Sequence, residues 1–401
     1  MLTENELNAV DDELADMRAT TIEWANINSG SYNSDGVQNV ADMMEKDFAL
    51  LDAKLERLTC EDASIISLDG EVINSPLGPV LSFTKRLDAP LTILFVGHMD
   101  TVFPLNSNFQ NVIELEPNKL CGPGVTDMKG GIAVMLWALK HFERHPLAEK
   151  IGWQVLLTPD EEIGSPGSAK YIDQFARKHD LGLVYEPAIN DSGTLAGARK
   201  GSGKFTIVAK GLAAHAGRDF ASGKSAIYAM AKLIGKIGSL NNQRQGLTIN
   251  AGVIKGGSAV NVVADTCTCF LDVRLEETSD QLWLKDRLDN IVSEEIDGVT
   301  FTLHGKFTRL PKTFDAKHEQ LYNFVREVGA EIGEKISWQA TGGCCDGNNL
   351  ASAGLVNIDT LGVKGGCIHS DKEYLMVSSL TERAKLTLGI LVAIANRGLP
   401  W

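Results

Sequence analysis

Leu91-Thr92-Ile93-Leu94-Phe95-Val96-Gly97-His98-Met99-Asp100 is the stretch whose reading decides the fold. Residues 91–96 form an apolar run closed by Gly97, as expected for a strand covered on both faces. Strands of that kind belong to parallel sheets wrapped in helices. The chain downstream keeps the matching rhythm. Residues 132–142 follow Gly130-Gly131 with helical periodicity, 153–157 read as a strand, 168–179 as a helix and 181–185 as a strand. The fold class is therefore α/β, with a mostly parallel, helix-covered sheet.

Another rhythm starts near Gly201. Residues 205–209 are a strand, 225–237 a helix, 247–254 and 267–275 two successive strands, 280–295 a helix and 299–303 a last strand. The order β-α-β-β-α-β is the ferredoxin-like split unit, a complete α+β domain. After Arg309-Leu310-Pro311 the first rhythm returns, with a helix at 320–332, a strand at 356–361 and a final helix at 380–395. We read one domain in two segments, residues 1–200 and 311–401, interrupted by a smaller domain at 201–310.

Bulk properties narrow the function. With 401 residues, 44% hydrophobic and 22% charged, the chain is of ordinary globular composition. A formal net charge of -14 argues against a nucleic-acid partner. Apolar runs of membrane-spanning length are absent, as is a basic, apolar leader, so no membrane partner is expected. The seven cysteines show no paired spacing, and reduced thiols in a cytoplasmic protein are the simpler reading.

The chemistry gathers after the strands. His98-Met99-Asp100, Asp127, Glu161-Glu162 and Glu186 are each expected just after a strand, and His369 lies in the loop after the 356–361 strand. Ligands bind at the carboxyl ends of strands in open α/β sheets. Two imidazoles and three carboxylates suit two zinc ions if one carboxylate bridges, and the charges balance once a hydroxide is added. Co2+ and Mn2+ suit such donors as well. Asp100 is close enough to accept the second ring N–H of His98 and fix its tautomer. Glu161 and Glu162 diverge in extended backbone, so one can bind metal while the other acts as general base.

At these residues the sequence resembles the co-catalytic zinc exopeptidases and deacylases. The resemblance is carried by Gly97-His98-Met99-Asp100-Thr101-Val102, by residues 122–131 around Thr126-Asp127-Met128-Lys129-Gly130-Gly131, by Asp160-Glu161-Glu162-Ile163-Gly164-Ser165, by Tyr185-Glu186-Pro187 and by residues 369–375. That family includes glutamate carboxypeptidase, acetylornithine deacetylase, succinyl-diaminopimelate desuccinylase and aminoacylase. The resemblance implies that His98 and Glu186 bind one zinc, Glu162 and His369 the other, and that Asp127 bridges them. It further implies Glu161 as general base, Asp100 as support for His98, and a cis peptide after Asp127.

The same resemblance gives the insert a role. Ala214-His215-Ala216-Gly217 is similar to a lid histidine that reaches the neighbouring active site of a dimer. The segments around Asn261 and Asp272-Val273-Arg274 are similar to a substrate-carboxylate site. The implied protein is a homodimer, paired through a lid and dimerisation domain, that cleaves an amide in a small N-acyl amino acid or peptide with a free carboxylate. Residues 365–371 look nearest to glutamate carboxypeptidase. The alternatives are an acetylornithine or succinyl-diaminopimelate type deacylase, or a metal-binding homologue without activity.

Other features read as structural. His141 and His145 lack the glutamate that a metalloprotease helix places after its first histidine, and are expected at a solvated helix end. Gly217 to Ser225 has one residue too many for a phosphate loop. Cys267 and Cys269 are expected in the core. Cys344 and Cys345 stand where the family has small hydroxyl residues, and either pack or touch substrate.

Overall fold

The structure, a computed structural model, describes residues 2–401. Its central sheet has six strands in the order Lys54–Leu58, Val80–Lys85, Ile151–Thr158, Leu91–His98, Leu181–Val184 and Asn357–Ile358. Leu91–His98 runs parallel to both of its neighbours, and Leu181–Val184 runs parallel to Asn357–Ile358. The remaining two pairings, which attach Val80–Lys85 and Lys54–Leu58, are antiparallel. The parallel core is thus extended on one side by two antiparallel strands.

The deciding strand is covered on both faces, and its side chains alternate between two cores. Ile93 and Phe95 join the larger cluster, where the Gly130–Phe142 and Ser379–Arg397 helices pack. Leu94 and Val96 join a second cluster with Ile172, Ala176 and Leu350 from the helices of the opposite layer. Gly131 lets the first of these helices approach the sheet, because a Cβ there would lie 2.1 Å from the Tyr185 carbonyl oxygen.

The segment from Gly201 to Arg309 forms its own antiparallel sheet, in the order Thr248–Gly256, Thr266–Leu275, Gly201–Lys210 and Thr300–Arg309. The helices Ala226–Gly238 and Ser279–Ser293 cover it around a separate core that includes Cys267 and Cys269. Ser225 caps the first helix, its hydroxyl accepting from Tyr228 N at 3.3 Å, so the stretch after Gly217 is a loop and a cap.

Three details differ from the expectations. The 356–361 strand shortens to Asn357–Ile358, because Thr360 turns the chain with φ 63° and Asp359 is held by Arg199 and Lys312. Lys54–Leu58 and Val80–Lys85 add two strands that the pattern did not single out. His141 and His145 are not solvated: their Nε2 atoms lie 3.6 Å from Glu13 and 3.5 Å from Glu6 on the N-terminal segment. Among the described residues, no helix is long and apolar enough to cross a membrane.

Candidate metal centre

One edge of the sheet collects the ionisable residues. His98 ends its strand, Glu161 and Glu162 open a short 3-10 turn after Ile151–Thr158, and Glu186 follows Leu181–Val184. Asp127 sits in the turn Val125–Lys129 that feeds the Gly130–Phe142 helix, and its peptide bond to Met128 is cis. His369 comes from the turn between Gly365–Gly366 and Tyr374–Met376, a hairpin paired with Lys119–Cys121. Parallel strands carry their carboxyl ends to the same side, which is why residues so distant in sequence meet.

Asp127 lies at the middle of the cluster. Its Oδ1 is 3.1 Å from His98 Nε2 and its Oδ2 is 3.2 Å from His369 Nε2, so each oxygen faces a different imidazole. Glu162 Oε2 is 3.3 Å from His369 Nε2, and Glu186 Oε1 is 3.9 Å from His98 Nε2. These contacts bring His98, Asp127, Glu162, Glu186 and His369 into one cluster. Donor atoms of His98, Asp127 and Glu162 lie within 4.8 Å of one another, and so do those of His98, Glu161 and Glu186.

Glu161 thus lies within ligand reach as well, but it has a partner the other carboxylates lack. Arg309 Nη2 is 2.7 Å from Glu161 Oε1. The contact is an ion pair, since that nitrogen donates its hydrogen bonds to Glu161 O, Ser165 Oγ and Asp346 Oδ1.

The electrostatics call for cations. Burial pushes the Glu162 carboxyl up to about 8, with Asp127 adding to the push. Burial also lifts Glu186 well above the carboxylate range, helped by Glu161 and Asp127. At Asp127 the hydrogen bonds from His369 and His98 outweigh burial and hold its carboxyl below the usual range. His369, bonded to Asp127 and Glu162, is raised to about 11. Glu162 and Glu186 each have a buried Oε1 that receives no hydrogen bond. Buried carboxylate oxygens without donors are costly, and two converging on one space fit divalent cations. The residues present therefore suit a dinuclear metal site.

Asp100 is wholly buried and does more than the expected task. His98 Nδ1 lies closer to the Asp100 carbonyl oxygen, at 3.0 Å, than to its carboxylate, at 3.4 Å. The carboxylate instead accepts from Glu161 N at 3.1 Å, Glu162 N at 3.2 Å and Ser31 Oγ at 2.6 Å. It therefore fixes the turn that carries both glutamates. Glu373 does the same for the other loop, accepting from Thr126 N at 2.9 Å and Asp127 N at 3.0 Å.

A cleft of about 410 Å³ opens over these groups, between the sheet edge and the insert. The insert lines it with Lys204, Arg274, Thr308 and Arg309, and Arg199 and Cys344 close its far side. Arg274 is held by Asp272 through Nε at 2.8 Å and Nη2 at 3.1 Å, while Nη1 points to Cys344 Sγ at 3.0 Å. One edge of its fork is thus already taken. His215 and Asn261 do not line the cleft; they lie together on the insert, where Asn261 O accepts from Ala216 N at 2.9 Å.

Sequence reading did not single out Arg309, Glu373, Lys204 or Arg199. Their only signal was charge: Arg309 precedes the return to the first domain, and Glu373 lies inside the last motif.

Comparison with known proteins agrees with this geometry. Residues 94–393 match the model of peptidase family M20/M25/M40. Carboxypeptidase G2 of Pseudomonas sp. (strain RS-16) is 25% identical over 395 residues, covering 96% of this chain and 90% of that protein. Succinyl-diaminopimelate desuccinylase 1 of Alteromonas mediterranea is 26% identical over 334 residues, covering 77% and 83%. The solved structure of human carnosine dipeptidase 1 is 14% identical and superposes with a TM-score of 0.74, covering 98% of this chain and 100% of that one. The family model spans three quarters of the sequence, and the chain belongs to peptidase family M20/M25/M40, a family of metal-dependent hydrolases.

Proposed function

We propose that the protein hydrolyses the amide bond of a small N-acyl amino acid or peptide bearing a free carboxylate, in the manner of a glutamate carboxypeptidase, with two zinc ions at the cluster. The observation that carries this is Asp127, whose two oxygens face His98 and His369 at 3.1 and 3.2 Å beneath a cleft lined with cations. His98 and Glu186 would hold one cation, Glu162 and His369 the second, and Asp127 both. Bound there, such ions supply Lewis-acid polarisation of the scissile carbonyl and lower the pKa of water to roughly 7.

The chain's own groups do the rest. Glu161 takes a proton from water and returns it to the leaving amine, the work of a general base and then acid. Arg309 at 2.7 Å orients that carboxylate, and Asp100 fixes its backbone. The Nη1 corner of Arg274 receives the substrate carboxylate on the cleft side, with Asp272 fixing its plane.

His215 and Asn261 lie outside the cleft of their own chain, which supports a homodimer in which a second copy delivers them. The Thr248–Gly256 strand is at the edge of the insert's sheet, with Val253 and Ile254 about half exposed, an unpaired apolar edge of the kind that recruits another chain. Light scattering on the purified protein checks this, and a monomer at micromolar concentration would count against it. All seven cysteines are free, in keeping with a reducing, cytoplasmic setting.

The test of function is hydrolysis of a panel of N-acyl amino acids and dipeptides, before and after metal chelation. Release of glutamate from acyl-glutamates, lost with chelation and restored by zinc, is the expected result. Preferential release of acetate or succinate from basic amino acids would establish the deacylase alternative. Turnover untouched by chelation would refute the metal mechanism.

A further inference from the structure

A hairpin of the first domain reaches across to the insert, near the end of its sheet farthest from the chain connections. Its strands, Ala63–Ile66 and Val72–Ser75, pair only with each other, from Ala63 opposite Ser75 to Ile66 opposite Val72. Ser67 N donates to Glu71 O at 2.8 Å and closes the tip Leu68-Asp69-Gly70, where Gly70 supplies the φ of 81° that such a short turn needs. The base is fixed to the first domain. Ala63 is buried, Tyr171 Oη donates to Thr59 O at 2.7 Å, and a Cβ on Gly167 would lie 2.8 Å from both Cys60 Cβ and Leu77 Cδ1.

The tip rests on the insert. A Cβ on Gly70 would lie 2.7 Å from Val208 Cγ1 and 3.2 Å from Thr268 Oγ1, and Asp69 Oδ1 is 2.8 Å from Lys255 Nζ. Val208, Thr268 and Lys255 come from three adjacent strands, with Thr268 opposite both of the others. Val208 and Thr268 are buried, although Val208 is no part of the core beneath the insert's helices.

That placement gives the contact leverage. Side chains alternate in face along a strand, so Lys204 and Val208 share one face of the sheet, as do Arg274 and Thr268. Lys204 and Arg274 line the cleft, at the end of the sheet where the chain enters and leaves the insert. One face therefore roofs the cleft at its near end and receives the hairpin at its far end. Val208 lies seven residues beyond Gly201 on one strand, about 23 Å at roughly 3.3 Å per residue.

The seat is weak by construction. Thr268 Oγ1 is buried there without a hydrogen-bond partner, a cost that water relieves once the tip lifts. The Asp69–Lys255 pair is largely exposed, and pairs of that kind hold loosely. Leu68, Val72 and Ile73 are exposed, so the hairpin's apolar side chains add little to the contact.

We propose that this hairpin is a releasable latch. Docked, it holds the insert down over the cleft; undocked, it lets the insert swing outward about residues 200–201 and 309–310. Its effect on turnover rests on the hydrolase reading above, whereas its docking does not.

The experiment compares the full chain with Asp69→Lys, Lys255→Asp and the double substitution. Both positions are exposed, so neither change empties a core. A two-stranded hairpin is marginal by itself, and hydrogen exchange of residues 63–75, read by mass spectrometry, therefore reports docking. We expect each single substitution to speed that exchange severalfold and the double substitution to return it towards the parent. In a further variant, residues 64–74 are replaced by Asn-Gly, which the facing pair Ala63 and Ser75 can flank. Small-angle X-ray scattering should then give a larger radius of gyration than the parent at the same oligomeric state, despite the shorter chain. With N-acetylglutamate as probe, KM should rise severalfold while kcat holds or rises, as expected when the closed insert is less populated. Without turnover of that probe, exchange and scattering decide the latch alone. Equal exchange in all four proteins, faster exchange that the double substitution fails to reverse, or a radius of gyration not increased by removing the hairpin each overturns the latch.

Discussion

Replacing Asp100 by Asn removes one charge and no volume from the centre of the hydrogen-bond network that holds the two glutamates. Three donors converge on the carboxylate: Ser31 Oγ, Glu161 N and Glu162 N, at 2.6, 3.1 and 3.2 Å. Asn offers one acceptor oxygen and one NH2. A serine hydroxyl can turn and accept from that NH2, but a backbone amide cannot. At least one amide loses its partner, and a bond to a charged acceptor is worth roughly 1.5–3 kcal/mol. A donor facing a donor adds to that cost, so a total near 2–4 kcal/mol is expected. The functional cost follows from position, because this bond fixes the turn bearing the proposed base Glu161 and the proposed ligand Glu162. Changes to such supporting partners typically cost about 10- to 100-fold in metal affinity or activity, and a shift of about 1 Å near the chemistry can cost ~100-fold. Competition with a chromophoric chelator gives zinc affinity, urea unfolding gives stability, and kcat/KM gives the rate. Asp100→Asn with all three within about twofold of the parent would refute the argument that this carboxylate positions the glutamate turn.

Glu161→Gln should keep full zinc binding and lose about 10²–10⁴-fold in kcat; measured by metal content and steady-state rates, loss of metal would instead make Glu161 a ligand. Removing metal should lower the urea midpoint, and zinc at 100 times its Kd should restore about 2.7 kcal/mol; identical midpoints would argue against a metal centre. Asp359→Asn leaves buried Arg199 and Lys312 without their shared anion, which should cost about 3–5 kcal/mol at pH 7. At Asp359, Arg199 and Lys312 outweigh the upward push of burial and hold its pKa below the ordinary value. Its contribution is therefore complete above the unfolded pKa of about 3.9 and fades as pH falls through the folded one. Urea titrations of parent and variant should converge only below about pH 4, and a gap that closes at neutral pH would contradict the ion pair.

The parallel core was legible because burial on both faces leaves a continuous apolar run, and Leu91–His98 is such a run. The order of elements in the insert was legible for a related reason: each element switches cleanly between strand and helix periodicity. Lys54–Leu58 was not, since its sequence Lys-Leu-Glu-Arg-Leu is that of a charged, mostly exposed edge. At the site, His98, Asp127, Glu162, Glu186 and His369 stood out by residue type and by their place after strands, and the structure brings them together. Arg309 was not, because its meaning comes from Glu161, 148 residues earlier, and no local pattern records that distance. Arg274 stood out in the sequence, yet its bond to Asp272 could only be seen once the strand Thr266–Leu275 placed both residues on one face.

Glu373 and His369 lie on one hairpin, and that hairpin braces a loop far upstream. The bond from Asp127 N to Glu373 spans 246 positions. Neither the central carboxylate nor the last imidazole has a fixed place until this long circuit is closed. The cluster of candidate ligands is thus complete only when the returning segment docks on the first. A divalent cation would find no finished cradle until the two separated segments have joined.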